Sequence, residues 1–280
     1  MVARRNPAVP RRRVRVAGCP VQTTVTARPA VARRWVYVTL WRERRRLHSA
    51  AGLTVGLGVQ WTPPFRFRRR LPAGAEPRPG TLQLCVGNRC LVFQLARAGG
   101  GGGAVPQILR RFLADGRVTF AAYNVDPDRR KLRAHHGLEV ESALELRGAA
   151  AGMPGNASMA AMADRLLGIR RGVVEKPEIV STSKWDGPKL SREQVRYATV
   201  DAYISCRLGV YFRRRRLAAM ADDDQDDEAS EAEYSSDDEV HGVWGRCVGF
   251  LQERSVSQDQ QAALDDYVYD SISMCSSLDY

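Results

Sequence analysis

The sequence predicts an α/β fold: a mixed five-stranded sheet flanked by helices, forming a single domain with disordered ends. Three observations carry that expectation. Short β-branched apolar runs come first and give way to runs with helical spacing, the order of a meander later covered by helices. Hydrophobic residues make up 44% of 280, enough for one sizeable core. Charge is segregated to the ends: no acid precedes Glu43, and "ADDDQDDEASEAEYSSDDEV" at 221–240 is strongly acidic.

The elements follow in order. "VRVAGCPVQTTVT" reads as edge strands, and Pro29 at a first-turn position opens a helix through Trp35, Val38 and Trp41. In "VGLGVQW", Val55, Leu57, Val59 and Trp61 share one face of a strand, and Gly56, Gly58 and Gln60 share the other. Strands over Thr81–Val86 and Leu91–Leu95 are joined by a two-residue Gly87-Asn88 hairpin turn. That turn sets Cys85 opposite Cys90; the pair reads as ordinary strand cysteines that bridge only under oxidation. Gly99–Gly103 forms a joint, and Ile108, Leu109, Phe112 and Leu113 form the apolar stripe of the next helix. "RVTFAAYNV" is a strand. "DPDRRKLRAHHG" is a helix opened by acids and closed by Gly137, with His135 and His136 as cations at its negative pole. "LEVESALEL" supplies the fifth strand. "SMAAMADRLLGI" and "LSREQVRYATVDAYISCRLGVYF" are helices.

This pattern divides the chain into a basic arm at 1–12, an ordered domain at 13–217, and an acidic, mostly disordered tail at 218–280. In the tail, Ser235 and Ser236 precede Asp237, Asp238 and Glu239, which suits acid-directed kinases, and a short helix is expected near Gln260–Tyr269. The net charge of +12 calls for an anionic partner, nucleic acid before a membrane surface. No apolar run is long enough for a membrane span, the start lacks a secretory core, and six scattered cysteines suit a reducing compartment. The expected location is nuclear or cytoplasmic; the Arg-rich, acid-poor start is equally compatible with organelle import.

The sharpest local signal is "QVRYATVDAY". On a helix, Tyr197 and Asp201 stand four residues apart and project a phenol and a carboxylate from one face. Placed after the strand and helix order above, this segment resembles the third motif of DEDDy-type 3′-5′ exonucleases. Those have a ribonuclease H-like fold, and the resemblance is closest to the Werner-syndrome-type exonuclease domain, over roughly 13–217. "TVGLGVQW" matches that family's first motif strand, "TLQLCVGNRCLVFQL" the next two strands, and "NVDPDRRKL" the second motif, with its acid at Asp128. The resemblance implies catalytic positions at Asp128, Tyr197 and Asp201, with Asp128 and Asp201 as ligands of Mg²⁺ or Mn²⁺. It also implies a tyrosine that orients the attacking water, and nucleic acid with a 3′ end as substrate.

The first motif is where the chain departs. The family's Asp-x-Glu stands here as Gly58 and Gln60, so two of four metal-binding carboxylates are missing. Glycine offers no ligand, and glutamine offers a neutral carbonyl beside an amide that repels a cation. Paired divalent ions need anionic ligands to offset their mutual repulsion. Metal binding is therefore expected to be weak and hydrolysis absent or strongly impaired. A second expectation is an active exonuclease that recruits Asp126, Glu76 or Asp186 as a substitute acid. A third is a non-catalytic scaffold whose acidic tail engages a protein partner. "FRFRRR" follows the first strand, and there Phe65, Arg66, Arg68, Arg69 and Arg70 are the expected nucleic-acid contacts, arginines on phosphates and phenylalanine on a base. Arg213–Arg216 read as a solvated helix end.

Overall fold

A computed structural model describes residues 11–49, 51–66, 76–100, 104–150, 152–174 and 177–233. Arg68, Arg69 and Arg70, most of the basic arm, both tail serines and the 260–269 helix lie outside the described residues. The chain divides into two units, Met1–Arg213 and Arg214–Tyr280.

The first unit is built on one mixed sheet in the order β1-β2-β5-β4-β3-β6-β7. The strands are β1 (Arg11–Val16), β2 (Cys19–Thr26), β3 (Leu53–Trp61), β4 (Pro79–Val86), β5 (Arg89–Phe93), β6 (Val118–Ala122) and β7 (Ser142–Glu145). The sheet has seven strands because the N-terminal pair joins the five expected ones. β2 runs parallel to β5, from Gln22 beside Arg89 to Thr26 beside Phe93, and β1 closes antiparallel on β2. Sheet pairing therefore begins at Arg11, so Arg11 and Arg12 belong to an edge strand. Central β3 lies antiparallel to β4 and parallel to β6.

The helices are α1 (Pro29–Arg42), α2 (Arg44–Leu47), α3 (Gln107–Leu113), α4 (Val125–His136), α5 (Met159–Leu167), α6 (Arg171–Val174), α7 (Glu178–Ser181) and α8 (Arg192–Glu233). Two packed layers follow from the alternation of β3. Val55, Leu57 and Val59 meet Trp35 and Val36 of α1, Phe112 of α3 and Leu132 of α4 in one core. On the opposite side, Met162 of α5 packs with Ala202, Tyr203 and Ile204 of α8.

Local chemistry sets the helix ends that matter for the site. Ser191 and Gln194 cap α8 reciprocally: the Ser191 amide donates to Gln194 Oε1 at 2.9 Å, and the Gln194 amide donates to Ser191 Oγ at 3.1 Å. At α4, the amides of Asn124 and Val125 donate to the Glu145 carboxylate at 2.8 and 2.7 Å, a negative charge at the positive helix end. The helix α8 runs through Glu233, beyond the boundary at 217 and into the acidic segment expected to be disordered. An established helix adds one hydrogen bond per residue without a new nucleus, and Ala, Met, Gln and Glu favour extension.

Two further expectations are corrected. Cys85 and Cys90 are joined by a disulfide, because the two-residue turn pairs them directly across β4 and β5; Cys19 and Cys206 are free thiols. His136 is not a cation at the helix end: burial and the nearby Arg78 push its pKa down to about 4, so the ring is neutral. His135 is shifted the same way, chiefly by burial.

Candidate nucleic-acid-processing site

The side of β3 facing α8 carries Gly56, Gly58 and Gln60, as its alternation requires, and the three glycine and amide positions do different work. A Cβ at Gly56 would collide with the Ala202 carbonyl oxygen and stand 2.6 Å from the Cys206 amide nitrogen. Bare backbone at Gly56 is thus what lets α8 lie against the sheet. A Cβ at Gly58 would instead meet side chains, Gln83 Oε1 at 2.8 Å and Asp201 Oδ2 at 3.0 Å. Two oxygens therefore converge on the space above Gly58. Gln60 completes the group, its Nε2 donating to Asp201 Oδ2 at 3.3 Å.

Gln83 is paired with Gly58 in the β3–β4 register and is fully buried. Its Nε2 donates to Thr81 Oγ1 at 2.5 Å, while its Oε1 is buried without a hydrogen-bond partner. A buried carbonyl left unpaired is costly, and rotating the amide would let Oε1 accept from the Thr81 hydroxyl and turn Nε2 toward the space above Gly58. Sequence reasoning passed over Gln83. Its signal was the polar alternation of Thr81, Gln83 and Cys85 in a strand buried on both faces.

Tyr197 lies one turn before Asp201 on α8, as the four-residue spacing requires. Its ring packs on Trp185 with centroids 5.7 Å apart. Trp185 is fully buried and fixed at both ends: its indole donates to the Ser181 carbonyl at 3.0 Å, and its amide donates to Thr62 Oγ1 at 2.9 Å. Thr62, just after β3, thereby connects the strand to the tyrosine. Thr23 and Thr199 add a buried hydroxyl contact at 3.0 Å that ties β2 to α8.

Asp128 is placed by a different element, the first turn of α4, where it is 8% exposed. The structure brings Gln60 into contact with Asp201 and sets Asp201 over Gly58. Asp128 arrives on the helix that Glu145 caps. Among the described residues, no group of three or more His, Cys, Asp or Glu side chains is gathered as a metal centre.

The substitute acids are each engaged. Asp126 is 82% exposed, with Arg129 at 3.9 Å. Glu76 pairs with Lys131 at 2.7 Å, and that hydrogen bond holds its carboxyl below the usual range. Lys131 in turn lies over the Trp61 ring at 5.0 Å. Asp186 accepts a hydrogen bond from the Thr62 hydroxyl at 2.6 Å. Thr62 thus holds it just beyond the end of β3, past the register shift between Gln60 and Trp61. Of the expected nucleic-acid contacts, Phe65 and Arg66 are described. Phe65 is 71% exposed, the Arg66 guanidinium lies over its ring at 5.7 Å, and Arg66 Nε donates to the Thr182 carbonyl at 3.2 Å.

Comparison with known proteins agrees with this architecture. Residues 73–215 match the family model described as 3′-5′ exonuclease, a match that begins downstream of Gly58 and Gln60. A 3′-5′ exonuclease of Arabidopsis thaliana is 28% identical over 155 residues, which is 55% of this chain and 50% of that protein. The mouse exonuclease 3′-5′ domain-containing protein 2 is 32% identical over 124 residues, 42% of this chain and 19% of its own. In fold, the chain resembles the catalytic core of RRP6 from Trypanosoma brucei, with a TM-score of 0.54 and 13% identity, covering 74% of this chain and 50% of that one. The chain belongs to the 3′-5′ exonuclease family, and it spans half or less of the length of these relatives. Among the described residues no helix is long and apolar enough to cross a membrane.

Proposed function

We propose that this chain binds nucleic acid in the groove of a DEDDy-type, Werner-like exonuclease domain and has lost most or all of the hydrolysis associated with that groove. One observation carries the reading. The Gln60 amide donates to Asp201 Oδ2 above a strand position that has no side chain at all. The donor set does not fit a pair of divalent ions. Asp128 and Asp201 are the two carboxylates on matched positions, Gly58 supplies nothing, and Gln60 presents N–H where a cation requires an oxygen. No catalytic step through Mg²⁺ or Mn²⁺ is therefore assigned.

Nucleic acid remains the partner that the net charge of +12 and the exposed Phe65–Arg66 pair support, one contact for a phosphate and one for a base. The purified chain, incubated with end-labelled single- and double-stranded substrates and Mg²⁺ or Mn²⁺, should bind without shortening them. Metal-dependent laddering that disappears in Asp201→Ala would overturn this reading.

Asp186 favours a second reading, an active exonuclease with a substitute acid, because Thr62 holds it at the end of the site strand. On that reading laddering is present in the unaltered chain and is abolished by Asp186→Asn.

A further inference from the structure

Across the sheet from Asp201 lies a face that the exonuclease site does not use. β3 turns Gly58 toward α8 and turns Val55, Leu57 and Val59 toward the layer where Ala32, Trp35 and Val36 of α1 pack. The outer face of α1 is thus directed away from Asp201. It carries Arg33, Arg34, Tyr37 and Trp41 at helical spacing, and Arg44 and Arg45 of α2 follow; all six are exposed. Tyr37 is 55% and Trp41 66% exposed, and the Arg44 guanidinium lies over the Trp41 ring at 5.3 Å. From Arg28 to Leu47 the only acid is Glu43, which is taken up by Arg46 at 3.0 Å. Beside this face a cleft of about 390 Å³ opens between α1 and α3, with Arg33, Tyr37, Gln107, Ile108 and Arg111 in its wall.

The geometry points to single-stranded nucleic acid as the occupant of the α1 face. Tyr37 and Trp41 stand about 6 Å apart along the helix axis, four residues at about 1.5 Å each, with arginines before and after them. A single strand presents a phosphate and a base face with every nucleotide, so it uses the arginines and the rings together. An acidic peptide would satisfy the arginines and leave the rings without a stacking partner. A duplex keeps its base faces hidden within the stack. The cleft is within the size range of small-ligand sites and takes a base turned in from the strand, between Arg33 and Arg111.

This inference shares with the proposed function only the premise that the chain binds nucleic acid. The test keeps the two separable. Binding of the full chain to a labelled single-stranded oligonucleotide is followed by fluorescence anisotropy with a chelator present, so that cleavage does not enter. Tyr37→Ala/Trp41→Ala should weaken binding about ten-fold or more, and Tyr37→Phe/Trp41→Phe should restore it to within about two-fold. An abasic strand of equal length should bind weakly to the unaltered chain and be indifferent to the alanine pair. Arg33→Ala/Arg44→Ala should reduce the salt slope by about 1.4, about 0.7 for each phosphate contact. Unchanged affinity in Tyr37→Ala/Trp41→Ala overturns the inference, as does an abasic strand that binds as tightly as the intact one. If only Phe65→Ala/Arg66→Ala weakens binding, the inference falls and the proposed function stands. If the unaltered chain binds no strand, both fall.

Discussion

Gln60 on β3 and Asp201 on α8 meet at 3.3 Å, amide nitrogen to carboxylate oxygen, across the interface between the central strand and the longest helix. The contact is neutral to anionic. It gives the buried Asp201 carboxylate a hydrogen-bond donor from the central strand.

Replacing the amide alone should therefore be harmful. Gln60→Glu sets two carboxylates against each other, and one of them must then rise in pKa. The expected loss is about 1–3 kcal/mol of stability at neutral pH. The raised group is protonated more readily in the folded state, so the loss should shrink as pH falls toward 5. Denaturant melts at the two pH values check this; an equal loss at both would contradict it.

Gly58 and Gly56 should differ in how much a side chain costs. At Gly58 the obstacles are the ends of the Gln83 and Asp201 side chains, and the Gln83 amide can rotate. Thr81 Oγ1 then donates to Oε1, and Nε2 donates to the new carboxylate. Gly58→Asp also brings its carboxylate up to Asp201 Oδ2, 3.0 Å from the Cβ position, so it is expected to cost about 1–3 kcal/mol at neutral pH, partly offset by the Gln83 donor. At Gly56 the obstacle is the backbone of α8, so Gly56→Ala should cost about 3 kcal/mol or more. Thermal melts of the two variants compare the costs directly.

His136 makes stability depend on pH. Its pKa is about 4 in the folded chain, below the ordinary 6.5, owing first to burial and then to the charge of Arg78, with Arg110 and His135 acting in the same direction and the Pro79 carbonyl opposing them. The unfolded chain binds a proton below pH 6.5 while the folded chain does not. The ring's contribution is thus fully present above 6.5 and is lost as pH falls from 6.5 toward 4. Allowing for the ring's partial access to solvent, the loss is about 2 kcal/mol. His136→Asn should flatten the stability curve in that window, and an unchanged curve would remove His136 as its cause.

Much of this arrangement was legible from local chemistry. Pro29 opens α1, Gly87-Asn88 forms the hairpin, and the alternation of β3 turns Gly58 and Gln60 toward Asp201. These follow from backbone geometry and period, which act over a few residues. What escaped depends on contacts between distant segments. Nothing within "VRVAGCPVQTTVT" reveals that β2 will lie parallel to β5, more than sixty residues later. Likewise, Thr62 and Trp185 are neighbours only because the loop after α7 returns to the end of β3. The neutral state of His136 depends first on its burial and then on Arg78, just before β4 and more than fifty residues away in the chain. The exposed Tyr37–Trp41 pair was hidden because a helix rich in aromatics reads as apolar whichever way its rings point.

The central claim is that the chemistry is limited by the two positions on β3. The most direct test compares hydrolysis of an end-labelled single strand in Mg²⁺ or Mn²⁺ by the unaltered chain and by Gly58→Asp/Gln60→Glu. The account predicts no metal-dependent shortening by the unaltered chain and a gain of about a hundred-fold or more in the double variant, lost again when Asp201→Ala is added. Equal, Asp201-dependent hydrolysis by both proteins would contradict it.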